Sequence, residues 1–169
     1  LYRSHISRYC RWAAAVELVD RMVMRAEKAP GLFPLLIGGF RAMELGDHLS
    51  VLLSALMLKI VAILGFRPQL FSCHGCGRSV EDGLAGFSLA KGGVVCRDCG
   101  GSGASFTAIN ERTLGLLQHL LADDFEIIRQ MEVKAGEERR IAALVQDFIS
   151  RCAEDHRPLT SLKFLEGLR

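Results

Sequence analysis

The sequence lacks the short motifs that mark most catalytic sites. It contains no P-loop, no nucleophile elbow and no paired-carboxylate site, and no histidine is followed two positions later by glutamate. The chain does hold scattered histidines, with no patterned serine or carboxylate nearby: His5, His48, His119 and His156. These absences favour a protein that is not an enzyme.

The sequence also lacks a strong excess of charge. Its formal net charge is +2 at pH 7, which is too small to indicate a nucleic-acid partner by itself. No secretory signal is visible, and the first residue is Leu1, so we expect that part of the natural N-terminus is missing. The longest apolar run, from Leu49 to Phe66, holds Lys59 near its middle, where a charge is unfavourable in a bilayer. A buried core helix is therefore expected here, and no membrane partner.

What the sequence does contain is helical periodicity on both sides of one glycine-rich segment. Apolar spacing predicts helices over residues 5–28, 32–46, 49–64, 110–128 and 137–154, with a last helix or docking segment in 156–169. Thr107 or Asn110 can cap the fourth of these helices. The pair Gly38-Gly39 either permits close helix packing or weakens the second helix. The predicted fold is mainly α, a helical bundle (1–67 and 104–169) with an insert over 68–103.

The insert carries four of the six cysteines in two C-x-x-C pairs, Cys73 with Cys76 and Cys96 with Cys99. This spacing is typical of a zinc ribbon or knuckle. Two β-like runs, GFSL and GVVC, flank AKGG and predict a short hairpin. Because an insert of about thirty residues buries too little surface to fold alone, we expect one structural zinc ion to hold it together.

Three alternatives to a structural zinc site fit the sequence less well. A disulfide framework needs an oxidising compartment, which nothing in the sequence indicates. A thioredoxin-type centre uses one C-x-x-C pair, whereas this insert has two. A catalytic zinc keeps an open position, which four cysteines would close. His74 could replace a ligand but is expected to point away, and Cys10 and Cys152 are interpreted as buried small hydrophobes.

Three segments, in this order, resemble the RecO family of bacterial recombination mediators. They are LKIVAILGF, CHGCG…GFSLAKGGVVCRDC and RPLTSLKFLEGLR. The resemblance covers essentially the whole chain and implies the C-terminal part of such a protein, without its N-terminal OB-fold. The sequence departs from the family pattern at Leu56, Met57 and Thr160.

The resemblance implies a non-enzymatic role in DNA repair and recombination after DNA damage, within the RecFOR pathway of the bacterial cytoplasm and nucleoid. Such a protein binds and anneals single- and double-stranded DNA. With RecR it helps load recombinase onto strands coated by single-stranded-DNA-binding protein (SSB), whose acidic tail it also binds. No small-molecule substrate is expected. There are two alternatives to this function. One is a zinc-stapled protein-interaction scaffold without DNA contact of its own, and the other is a zinc oxidoreductase.

Four basic residues are candidates for these contacts. Arg78, Lys91 and Arg97 lie near the cysteines and could bind DNA phosphates, or they could simply neutralise the thiolates. Lys59 matches the family's basic position in the apolar helix and could meet the SSB tail. Equally, Lys59 could be a lysine of a core helix that extends its ammonium to solvent.

Overall fold

The helices and the hairpin follow the predicted order. The computed structural model describes residues 2–23, 29–80, 83–100, 105–153 and 159–167. The elements before and within the cysteine segment are α1 (Tyr2–Val23), α2 (Leu32–Leu45), α3 (Leu49–Ile63), β1 (Leu84–Ser88), β2 (Gly93–Cys96) and α4 (Arg97–Gly100). Those that follow are α5 (Glu111–Ala122), α6 (Phe125–Arg129), α7 (Ala135–Cys152) and α8 (Thr160–Glu166). The predicted fold class, a helical bundle with an inserted hairpin module, is confirmed.

Helix α3 forms the centre of the bundle. Its residues 51–58, together with Ile60 and Val61, are buried, and α1, α2, α5, α6 and α7 all pack around it. A helix that is apolar on every face can satisfy that surface only by being covered on every side. The prediction of a core helix is therefore confirmed. Among the described residues, none of the helices combines the length and apolarity needed to cross a membrane.

The glycine pair of α2 serves close packing. A Cβ atom added at Gly39 would lie 2.8 Å from both terminal methyl carbons of Leu56 in α3. That distance is far below a normal contact between carbon atoms. Of the two interpretations of Gly38-Gly39, the structure supports close helix packing, and Gly39 is the residue that provides it.

The predicted single helix over 110–128 is wrong in one respect, because it breaks into α5 and α6. The break falls at Asp123 and Asp124, whose backbones are extended. Aspartate is unfavourable inside a helix because its side chain competes for local hydrogen bonds, and here Asp123 Oδ2 lies 2.7 Å from Nδ1 of His119. At the other end, Asn110 is the cap, since its side chain accepts a hydrogen bond from the Thr113 backbone N–H at 2.8 Å.

Two smaller differences concern helix bounds. The first predicted helix extended to residue 28, but residues 24–28 lie outside the described part of the chain. The short helix α4, which follows β2 directly, was not predicted. It is a single turn that carries Asp98 and Cys99, too short to leave a periodic signal in the sequence.

The chain's last described helix, α8, packs on α1. Glu17 of α1 accepts hydrogen bonds from the backbone N–H groups of Thr160 and Ser161, at 2.9 and 3.1 Å, and from the Ser161 hydroxyl at 3.0 Å. Glu17 also pairs with Arg21 at 2.5 Å. Burial by itself raises the pKa of Glu17, but these hydrogen bonds outweigh it and lower the pKa to about 2. The prediction of a last helix or docking segment in 156–169 is confirmed for 160–166, while 156–158 and 168–169 lie outside the described residues.

The low pKa of Glu17 makes the stability of the α1–α8 contact depend on pH. The folded pKa of about 2 lies below the ordinary value of 4.5, so the stabilisation is complete above about pH 5 and is lost as the pH falls through 2. Replacing Glu17 by glutamine is expected to lower the free energy of unfolding by about 1–2 kcal/mol at pH 7. Urea unfolding at pH 7 and pH 3 measures this effect, with exposed Glu132→Gln as the matched control. A difference from the wild type that does not shrink at pH 3 would contradict the assignment.

Candidate metal centre and cationic groove

The structure brings the four predicted ligands together. The Sγ atoms of Cys73, Cys76, Cys96 and Cys99 all lie within 4.8 Å of one another, and those of Cys76 and Cys96 are 3.8 Å apart. A tetrahedral ion with metal–sulfur bonds of about 2.3 Å holds its sulfur atoms about 3.8 Å apart. The donor set and its spacing therefore fit one metal ion.

The first C-x-x-C pair sits in a tight turn that depends on glycine. The backbone N–H of Gly77 donates to the carbonyl of Cys73 at 2.8 Å, and that of Cys73 donates to the carbonyl of Arg78 at 2.8 Å. Gly77 has a φ of +74°, which side-chain-bearing residues rarely adopt. A Cβ atom at Gly75 would lie 2.9 Å from Cys99 Sγ. Gly77 allows the backbone conformation of the turn, and Gly75 allows the turn to approach the opposite pair of cysteines.

Backbone N–H groups surround the most buried sulfur. Cys73 is fully buried, and its Sγ accepts hydrogen bonds from the N–H groups of Gly75 and Cys96, both at 3.3 Å. Burial alone raises the pKa of Cys73, but the N–H groups of Cys96, Cys76 and Gly75 lower it to about 6. Hydrogen bonds to the charged form favour it, and the thiolate is the form that binds a metal.

The second pair is positioned by the hairpin and by α4. Cys96 is the last residue of β2 and Cys99 lies in the helical turn that follows, so one turn of helix directs both sulfur atoms to the same side. The strands pair antiparallel, with Phe87 opposite Val94 and Ser88 opposite Gly93. The predicted hairpin is therefore confirmed, and it holds the second pair against the first.

The hairpin shares its core with the helical bundle. Its Phe87 ring meets the ring of Phe148 in α7 edge to face, with centroids 5.6 Å apart and planes at 84°. Phe87, Val94, Val95 and Phe148 are all buried, within one hydrophobic cluster that includes α3. Both edges of the hairpin are also occupied, because Phe87 bridges to Thr107 and Gly93 bridges to Gln69. The module thus gains apolar burial that its own sequence does not supply. The division at 68–103 stays a prediction.

The three predicted DNA-binding residues have different surroundings. Arg78 is exposed, and it contacts Asp98 Oδ2 at 2.6 Å and Cys76 Sγ at 3.5 Å. Hydrogen bonds to Cys76 and then to Asp98 raise its pKa. Lys91 lies exposed in the hairpin turn and Arg97 lies exposed at the start of α4. The geometry of Arg78 supports the interpretation that it offsets thiolate charge, whereas Lys91 and Arg97 remain accessible.

Lys59 is half-buried between α3 and the break after α5. Its Nζ atom donates to the carbonyl of Leu121 at 3.0 Å, the carbonyl that a continuous α5–α6 helix would have used itself. The same atom lies 5.8 Å from the centre of the Phe125 ring. Burial lowers the pKa of Lys59, while Asp124 and Asp123 oppose that shift. These contacts support a structural role at the helix break, and the role in partner binding stays a prediction.

A groove beside the module brings the predicted candidate Lys91 together with residues that sequence reasoning missed. This cationic groove, of about 360 Å³, lies between the hairpin turn and the end of α7. Its cations are Arg67, Lys91 and Arg151, and its remaining lining comprises Phe66, Gln69, His74, Leu89, Ala90, Gly92, Phe148 and Cys152. Arg67 and Arg151 are far apart in sequence, so no local pattern links them. The one available signal was Phe66-Arg67, an aromatic and a cation directly after a helix end.

The two remaining cysteines lie apart from the metal cluster. Cys10 and Cys152 are both buried, and burial raises the pKa of Cys152 to about 11. A buried thiol with a raised pKa is a poor nucleophile. The interpretation of these residues as small hydrophobes of the core is confirmed.

The fold and the cysteine cluster define a class of protein, a helical domain into which a four-cysteine metal-binding module is inserted. Within that class, the family model described as "Recombination protein O C terminal" matches residues 3–162. The chain belongs to this family. The resemblance seen in its three sequence segments is thereby confirmed.

Several curated relatives named DNA repair protein RecO are similar over most of the chain. The protein of Roseiflexus sp. (strain RS-1) is 30% identical over 155 residues, 92% of this chain and 54% of the relative. The protein of Streptomyces griseus is 31% identical over 162 residues, which are 95% of this chain and 62% of the relative. The protein of Desulforamulus reducens is 24% identical over 166 residues, which are 98% of this chain and 64% of the relative. The chain thus spans roughly half to two thirds of these relatives' length.

Proposed function

We propose that this chain acts in DNA repair by homologous recombination, as part of a mediator that binds and anneals DNA. In this role it helps RecR load recombinase onto strands coated by SSB. One observation carries the proposal: the family match extends over residues 3–162. The meeting of the four cysteines of the inserted module at one point agrees with it. Because the chain is shorter than its relatives, the activities of the whole protein are proposed for it and not transferred as facts.

The proposed ion is a single structural zinc. Four thiolates are soft ligands that select zinc among common cellular ions, and a complete tetrahedral shell leaves no position for a substrate. Disulfides are disfavoured because Cys76 and Cys96 are 3.8 Å apart at their sulfur atoms, against about 2.05 Å in a disulfide. The oxidoreductase alternative needs free thiolates, which a tightly bound ion would withhold.

Contact with DNA is proposed for the accessible cations around the module. Four thiolates and a dication carry a net charge of about −2, and Arg78 already lies against Cys76 and Asp98. We therefore assign phosphate contact first to Lys91 and Arg97, and only secondarily to Arg78. Such contacts add affinity without sequence preference.

The proposed site for the SSB tail lies around Lys59. A peptide that ends in an aromatic residue and a carboxylate needs an apolar surface with a cation beside it. Lys59 lies next to the Phe125 ring, which in turn lies against α2 at Gly38. Asp123 and Asp124 oppose an acidic ligand at this place. If this surface binds the tail but the chain does not bind DNA, the alternative function, a zinc-stapled interaction scaffold, applies.

Salt-dependent binding of single-stranded DNA is the expected result that tests the proposal. Native mass spectrometry should find one zinc per chain, and fluorescence anisotropy with a labelled oligonucleotide should show affinity that falls as salt rises. For each phosphate contact removed, the slope of log K against log salt should flatten by about 0.7. Arg97→Gln is expected to produce this change, and Arg78→Gln a smaller one.

The matched control is Arg140→Gln, an exposed arginine on α7 that lines none of the features described above. It should leave the salt slope unchanged. An acidic peptide ending in phenylalanine serves as the second ligand. Binding of the peptide without binding of DNA would favour the scaffold, and binding of neither would contradict both functions.

A further inference from the structure

We infer that the cationic groove is a binding site for one nucleotide of single-stranded DNA, whose base stacks on Phe66 and whose phosphates meet Arg67, Lys91 and Arg151. The inference rests on the proposed function and adds a defined site to it. Two of these cations and the aromatic residue lie outside the set that the sequence indicated. Grooves that combine cations with an exposed aromatic ring are the general means of binding single strands without sequence preference.

The aromatic residue of the groove is exposed and yet fixed. Phe66 is 36% exposed. Its backbone N–H donates to the carbonyl of Val61 at 2.8 Å, and that of Gly65 donates to Ala62 at 3.3 Å. Gly65 has a φ of +95°, which completes the Schellman ending of α3. A large apolar ring held at the surface by such an ending is a preformed stacking platform.

The hairpin side of the groove is also fixed by backbone hydrogen bonds. The backbone N–H of Gln69 donates to the carbonyl of Gly92 at 3.0 Å, and that of Val94 donates back to the carbonyl of Gln69 at 2.9 Å. These bonds tie the hairpin turn, with Lys91, to the segment that carries Arg67. Little ordering is then needed when a ligand binds, which preserves affinity.

The described lining of the groove is positively charged. Among the lining residues that the structure describes, none is acidic. Within the described ranges, Arg67, Lys91 and Arg151 make no ion pair, in contrast to Arg78, which contacts Asp98. Three cations around one opening, without an acidic partner in the described part of the chain, fit a ligand with several negative charges.

The geometry favours a nucleotide over an extended peptide. Peptides that dock on a hairpin commonly add a strand to a free edge, but here each edge is already bridged at one residue, Phe87 to Thr107 and Gly93 to Gln69. The remaining recognition elements are a ring face and three separated cations. A flat base with phosphates on either side matches these elements, and an acidic peptide has no backbone partner here.

The test uses the full zinc-loaded chain and a labelled oligothymidylate, titrated by fluorescence anisotropy at several salt concentrations. Arg151→Gln is expected to weaken binding about 5- to 10-fold at low salt and to flatten the slope of log K against log salt by about 0.7. Phe66→Leu keeps most of the apolar volume but removes the ring. It is expected to weaken single-strand binding about 5-fold or more and to leave duplex binding unchanged.

Arg140→Gln is the matched charge control on the same helix, and Phe33→Leu is the control for an exposed ring, since Phe33 is 72% exposed on α2. Neither should alter affinity. If the wild type binds the oligonucleotide and both groove variants behave like their controls, the assignment of the groove as a nucleotide site is wrong while the proposed function stands. Loss of duplex binding in Phe66→Leu overturns the stacking role. No binding by the wild type overturns both the groove and the proposed DNA-binding function.

Discussion

Replacing Cys73 by serine is expected to abolish metal binding and to unfold the cysteine module. Cys73 is the fully buried ligand of the cluster, and its sulfur accepts two backbone hydrogen bonds. A serine hydroxyl is a poor ligand for a soft site, and the other three sulfur atoms cannot close the shell. Structural zinc contributes an apparent binding free energy of about 10–16 kcal/mol in small zinc modules, so its loss outweighs the stability of a hairpin this short.

The measurement combines native mass spectrometry with hydrogen exchange over residues 83–100. The variant should lack zinc and exchange rapidly in β1 and β2, while α3 remains protected. Cys10→Ser provides the matched control, because Cys10 is also buried but belongs to α1 and not to the cluster. Retention of one zinc with unchanged affinity in Cys73→Ser would show that the module does not use this ligand.

Truncating Phe148 to alanine is expected to separate the module from the bundle without removing the metal. The ring is 4% exposed and meets Phe87 edge to face, so its loss leaves a cavity where the hairpin contacts α7. Such truncations destabilise proteins by about 3–5 kcal/mol. The four ligands lie within 73–99, so zinc should stay bound.

Urea unfolding and zinc content, measured on the same sample, check this prediction. Phe33→Ala is the control, since this ring is largely exposed and its removal should change the free energy of unfolding by less than about 0.5 kcal/mol. A loss below about 1 kcal/mol in Phe148→Ala would mean that the hairpin does not depend on α7. Loss of zinc in the variant would mean that the module cannot hold its ion without the bundle.

Much of the fold could be predicted because it depends on local signals. The apolar period located α3 and α7, and the two C-x-x-C pairs located the metal cluster, since ligand spacing along the chain limits the geometry of a site. Asn110 was correctly among the candidate caps. Gly38-Gly39 could not be interpreted from sequence, because only Leu56 on another helix decides whether a side chain would fit at Gly39.

The features that sequence reasoning missed all depend on tertiary contacts. Lys59 of α3 supports the break between α5 and α6, because its ammonium donates a hydrogen bond to the carbonyl of Leu121 in α5. The pairing of Arg78 with Asp98 requires the two cysteine turns to meet. The cationic groove brings together Arg67 and Arg151, which are separated by about half of the chain. Periodicity and local motifs carry no information about such distant pairs.

The contact between α1 and α8 has a consequence for the order in which the chain folds. Glu17 and Thr160 are 143 positions apart, so their contact closes a very long loop. The entropy cost of closing that loop exceeds the stabilisation from the contact until most of the bundle has formed. By contrast, α2 and α3 are joined by three residues and can pair early. During synthesis the face of α1 that contacts α8 would stay uncovered until α8 emerges. We therefore expect α8 to be the last element to join and the first to detach.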